Sequence, residues 1–174
     1  MMITATEPRA RLQGPFGASH SEAGRSRPAK VEPAAAPIVV AVDNSPAAAA
    51  AAQAAVRLAR ELAAPLVFVY VRRGPSAALG EPYYQRRLDA EMRAGRRALD
   101  DALALAERAG VPATGEQLAG SPARRVVEFA RIRGARLVVL GSRRRRLGRR
   151  VSREVIRSTD RPVIVAGRAA PAAS

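Results

Sequence analysis

The stretch Ile38-Val39-Val40-Ala41-Val42-Asp43-Asn44-Ser45-Pro46 decides how the chain folds. Its five apolar residues run without a polar interruption, which suits a strand buried on both faces, as in a parallel sheet. The run stops at Asp43, and Asp43 to Ser45 offers side-chain oxygens to the bare amides of a helix start. Pro46 lacks an N–H and has its φ preset near the helical value, so it belongs in a first helical turn. Strand, cap and helix in immediate succession predict the opening of a β-α-β unit. The helix continues through an alanine run, low in complexity, to Leu62.

The same pattern recurs downstream. Leu66-Val67-Phe68-Val69-Tyr70-Val71 reads as a second buried strand, closed by Arg72-Arg73-Gly74-Pro75. Residues 83–109 read as a long amphipathic helix carrying Leu88, Met92, Leu99, Leu103 and Leu105. Gly110 stands where a helix C-cap glycine belongs, with Pro112 just beyond. A weaker strand lies around residues 114–118, and Ser121-Pro122 opens a helix with Val126, Val127, Phe129, Ala130 and Ile132. Leu137-Val138-Val139-Leu140 follows, then Gly141-Ser142, an arginine-dense loop to Arg150, a short helix from about Val151, and Pro162-Val163-Ile164-Val165. Five strands alternating with four helices predict an open parallel α/β sheet with helices on both faces and right-handed crossovers. Residues 37–167 form this domain. Residues 1–36 hold four prolines and no hydrophobic period, which predicts a disordered tail; residues 168–174 read as a flexible one.

Composition excludes much chemistry. The 174 residues suit one domain. There is no cysteine for a disulfide, a thiolate metal site or a thiol nucleophile, and the single histidine, His20, leaves no His-pair metal motif. Nothing approaches the roughly 18–20 apolar residues of a membrane span, and the N-terminal segment has no apolar signal region, so a cytoplasmic protein without membrane contact is expected. Lys+Arg number 30 against 15 Asp+Glu, a formal +15, and every cation except Lys30 is arginine. Residues 1–36 carry net +2, residues 37–119 net +1, and residues 120–174 net +12. A genome rich in G and C would enrich alanine, arginine, glycine and proline without selection on function, but that bias would spread more evenly.

Ligands of open α/β sheets bind beyond the carboxyl ends of the strands, near the switch in strand order. That rule nominates Asp43, Val71 and Gly141-Ser142. Asp43 suits ribose hydroxyls or a phosphate-bound metal, or equally the capping of the first helix. Gly141-Ser142 suits close approach of a phosphate to the backbone, or equally a plain strand-to-helix turn. Neither GxxxxGK[ST] nor GxGxxG is present.

Four segments together resemble the universal stress protein family across about residues 36–167. Ile38 to Ser45 is similar to its opening strand and V-D-x-S signature, and Gly120-Ser121-Pro122 to its G-x-P helix start. Leu137 to Arg143 is similar to its D-L-[IV]-V-M-G-[ST] strand. Val151-Ser152-Arg153-Glu154-Val155 with Arg161-Pro162-Val163-Ile164-Val165 is similar to its last helix and strand. The resemblance implies strand order 3-2-1-4-5 and a homodimer. It places Ala41, Val42, Asp43 and Val71 around a base and ribose, and Leu140, Gly141, Ser142, Arg144, Gly148 and Ser152 at the phosphate end.

The family's ATP-binding subgroup carries G-x2-G-x9-G-[ST] after the fourth strand, and here the sequence departs. Gly141 matches the first glycine, but Arg144 stands at the second and Glu154-Val155 at the closing pair. Aligned instead on Val151-Ser152, the closing pair becomes Arg149-Arg150 and the loop is about five residues short. Gly148 is a remnant glycine. The expectation is a non-enzymatic stress-response domain that acts through an unidentified protein partner, needs no cofactor, and has weak or lost nucleotide binding. The alternative is an ATP-binding switch or weak ATPase using ATP with magnesium; a second is polyanion binding by the arginine loop of residues 143–150. Deleting residues 1–36 should leave the melting temperature nearly unchanged, since nothing there can be buried periodically; a large fall would show that the segment packs on the domain.

Overall fold

The computed structural model describes residues 35–74, 80–142 and 146–167. The first strand, β1 (Ile38–Val42), is the middle of a five-stranded parallel sheet. β2 (Leu66–Arg72) pairs with one edge of β1, Ile38 opposite Leu66, and β4 (Leu137–Gly141) with the other, Ile38 opposite Leu137. β3 (Ala113–Ala119) and β5 (Val163–Ala166) complete the order 3-2-1-4-5 that the family resemblance implied. Having a neighbour on each edge and helices over each face explains the unbroken apolar run of β1: Ile38, Val39 and Val40 are fully buried. Alternation divides them between two cores. Val40 and Phe68 face α1 (Pro46–Leu62) and α2 (Tyr83–Arg108). Val39 and Val69 face α3 (Pro122–Ile132) and α4 (Arg146–Ser158).

Ser45 is the N-cap of α1: its backbone is extended and its Oγ accepts from the Ala48 N–H at 3.2 Å. Asp43 does a related job one step earlier, with Oδ1 accepting from the Ser45 N–H at 3.0 Å. The alanine run is the packing face of the helix rather than filler. Ala48, Ala51, Ala52, Ala55 and Ala59 are all buried, at the i, i+3, i+4 spacing of one helical stripe. α2 likewise buries small residues, Gly95, Ala98, Ala102 and Ala106 together with Leu99, while Leu88, Met92, Leu103 and Leu105 are only half-buried. The reason is local crowding: a Cβ on Gly95 would lie 2.7 Å from Tyr70 Cδ1 and 2.8 Å from Gln117 Nε2.

Two helix ends carry paired capping bonds around a left-handed glycine. After α2, Val111 N–H donates to Ala106 O and Gly110 N–H to Glu107 O; after α3, Ala135 N–H donates to Ala130 O and Gly134 N–H to Arg131 O. α4 differs from expectation. It begins at Arg146 rather than near Val151, so the backbone of Leu147-Gly148-Arg149-Arg150 is helical. On α3, Ile132 is 70% exposed rather than in the core. Residues 1–34 of the expected N-terminal tail, the expected C-terminal tail 168–174, and Arg143, Arg144 and Arg145 of the expected arginine loop lie outside the described residues. No helix among the described residues is long and apolar enough to cross a membrane.

α1 approaches the end of β4 with no space between them: a Cβ on Gly141 would sit 2.5 Å from Ala47 O and 2.6 Å from Ala47 C. Those are backbone atoms of a capped helix and cannot give way. Gly141→Ala should therefore destabilise the domain by about 1–3 kcal/mol, the usual cost of overpacking, as read by urea denaturation. An unchanged midpoint would mean that α1 is free to shift.

Candidate ligand crevice

The carboxyl ends of β1, β2 and β4 border a cleft of about 620 Å³, within the range of small-molecule sites. Its position is the one strand order dictates, because the connections leaving the neighbouring strands β1 and β4 run in opposite directions and open a crevice there. Ala41, Val42, Val69, Val71, Val126 and Leu140 form an apolar lining. Polar groups stand around it: Asp43, Asn44 and Ser45 after β1, Arg72 and Arg73 at the end of β2, Arg87 and Glu91 on α2, and Ser152 on α4.

Most of these groups also hold the frame. Asn44 Nδ2 donates to Ala94 O at 3.0 Å, tying the β1–α1 turn to α2. Glu91 Oε2 accepts from the Gly74 N–H at 3.0 Å, and its Oε1 lies 3.6 Å from Arg87 Nε. Ser152 Oγ donates to Gly141 O at 3.4 Å, joining α4 to the end of β4. Tyr70, half-buried beneath the rim, has its hydroxyl pKa raised, first by burial, then by the carboxylates of Glu91 and Asp43, with Arg97 opposing. Among the described residues no group of three or more His, Cys, Asp or Glu could hold a metal.

Of the positions nominated from the sequence, the cleft brings together Ala41, Val42, Asp43, Val71, Leu140, Gly141 and Ser152. Ser142 is not among its lining; its N–H donates to Ala166 O at 2.8 Å and continues the β4–β5 ladder. Gly148 is helical rather than part of a phosphate loop, and Gly141 has a structural occupation, admitting the backbone of α1. Sequence reading missed Arg72, Arg73, Arg87 and Glu91. The signal was there: Arg72-Arg73 directly follows the apolar run of β2, at the end of the sheet where ligands bind.

A doubly wound parallel sheet of order 3-2-1-4-5, with a crevice at its switch point, is of the Rossmann-like class of α/β protein. The universal stress protein family model matches residues 35–167, and the chain belongs to that family. Among solved structures, a universal stress family protein from Burkholderia pseudomallei is 33% identical, with TM-score 0.65 over 75% of this chain and 94% of its own. Universal stress protein UspA from Lactobacillus plantarum is 26% identical, with TM-score 0.66 over 78% and 99%. The universal stress protein from Archaeoglobus fulgidus, solved in complex with dAMP, is 26% identical, with TM-score 0.62 over 76% and 98%. No curated protein matches this chain.

The direction of the Tyr70 shift sets a pH dependence. In the unfolded chain this phenol ionises near its usual value of about 10, and in the folded chain at higher pH. Above that value the unfolded state therefore binds fewer protons, so stability is whole below it and falls as pH rises through the folded pKa. Tyr70→Phe should flatten the alkaline limb of a pH series of urea midpoints. An identical limb in both proteins would show that Tyr70 ionises equally in the two states.

Proposed function

We propose that the chain is a non-catalytic stress-response domain that acts by binding a protein partner. Its crevice accepts the nucleoside part of a nucleotide, while affinity for the triphosphate is weak or lost. The observation that carries this reading is the connection from β4 to α4. Only residues 142–145, Ser-Arg-Arg-Arg, separate Gly141 from a helix that already includes Gly148. A triphosphate is wrapped by successive backbone amides of a glycine-rich, non-helical loop. Here the amides beyond the first turn of α4 are committed to the helix, and the intervening residues carry side chains.

The apolar cleft with Asp43 at its mouth supports the nucleoside half, as does kinship with a relative solved with dAMP. A second copy of the chain is a further proposed partner. β5 is an edge strand, with Ile164 and Val165 each 39% exposed and Ile156 of the adjoining helix 50% exposed.

Calorimetric titration of protein whose mass has been measured by light scattering tests both parts. AMP and ATP should bind within about tenfold of one another, a difference of about 1.4 kcal/mol, and magnesium should change nothing. The mass should be that of a dimer. Magnesium-dependent ATP binding a hundredfold tighter than AMP would restore the ATP-switch reading, and a monomeric mass would remove the homodimer.

A further inference from the structure

Three guanidinium groups border one end of the crevice. Arg72 closes β2, Arg73 follows it, and Arg87 stands in the second turn of α2; all three line the cleft. Tyr70 packs toward α2 and Val71 toward α3 and α4, so alternation carries Arg72 to the α2 side and Arg73 to the other. Arg73 accordingly also lines an adjoining pocket of about 490 Å³ with Ser121, Pro122, Val151 and Glu154. The three therefore bracket the end of β2 from both faces of the sheet.

Their charge is poorly balanced. Among the described residues, Arg72 and Arg73 make no ion pair, and Arg87 has only Glu91, at 3.6 Å. The second Glu91 oxygen is already taken by the Gly74 N–H. Three like charges on one rim repel, and a bound anion would reverse that cost. Arginine suits the task because its planar fork matches two oxygens of a phosphate, which a lysine cannot do.

We propose that the anion-recognising end of this crevice is the carboxyl end of β2, with Arg72, Arg73 and Arg87 gripping the phosphate of a compact phosphoester. The ligand then lies with its phosphate toward α2 and its remainder toward β1 and β4, the opposite direction to a phosphate loop following β4. For the remainder of the ligand this rests on the nucleoside reading above; for the anion it stands on the arginines.

Adenosine, AMP and pyrophosphate, titrated by calorimetry, separate the two. The proteins are the full chain, Arg73→Ser/Arg87→Ser, and a control of equal charge, Arg57→Ser/Arg124→Ser, both at exposed positions outside the cleft. The full chain should bind AMP about 10–100-fold more tightly than adenosine, as charge-assisted hydrogen bonds allow, and should bind pyrophosphate. The cleft variant should lose both effects and keep its adenosine affinity; the control should keep everything. An AMP advantage that survives in the cleft variant, or that falls equally in the control, overturns the proposal. Should adenosine fail to bind while pyrophosphate binding still depends on the cleft arginines, the nucleoside reading falls and the anion site stands. Binding of neither removes both. If the double variant does not fold, Arg87→Ser alone, at a side chain 67% exposed, must still reduce the AMP advantage at least about threefold.

Discussion

The contact on which the domain depends is the seating of α1 against the end of β4. A helix can lie this close to a sheet only where both surfaces are nearly bare, and here one offers alanines and the other Gly141. The backbone of Ala47 occupies the space a Cβ would need, so the first turn of α1 has one position. That position in turn fixes the Asp43-Asn44-Ser45 turn, whose members cap the helix and hold α2 through Ala94. The crevice is the space left over once these elements have met. Its mouth is polar because helix starts and strand ends must expose their unpaired groups there. Its lining is apolar because it is continuous with both cores.

The charge of the chain is concentrated in one third, and the cleft-lining arginines among the described residues lie in another. Residues 120–174 hold net +12, yet the guanidinium groups described at the crevice come from Arg72, Arg73 and Arg87, in a stretch of net +1. Net charge reports on long-range attraction and solubility; recognition depends on which few groups the fold brings to one place. The early start of α4 makes the same point from the other side. Residues that look like an open basic loop are partly wound into a helix, where their spacing is set by helical geometry.

What the sequence by itself determined is the order and kind of the elements and the open parallel sheet they form, the strand order following from the family resemblance. Unbroken runs such as Ile38 to Val42 and Leu137 to Leu140 can be satisfied only by strands covered on both faces, and short connections with a fixed crossover hand leave few arrangements. The family signatures, the missing glycines of the phosphate loop and the cleft-lining positions Ala41, Val42, Asp43 and Val71 were legible for the same reason: each is a local pattern. The face α2 buries was not legible, because Gly95 and Ala98 displace the leucines only where Tyr70 and Gln117 rise to meet them. Nor was the start of α4: arginine favours a helix, but Gly148 and the repulsion of neighbouring like charges oppose one, and the balance is set only when Val155 is pulled into the core. The meeting of Arg87 with Arg72 and Arg73 at the rim of the crevice was decided by tertiary structure alone. Arg72 and Arg87 are fifteen residues apart in the chain and meet only because α2 folds back across the end of β2, a distance no local rule can span.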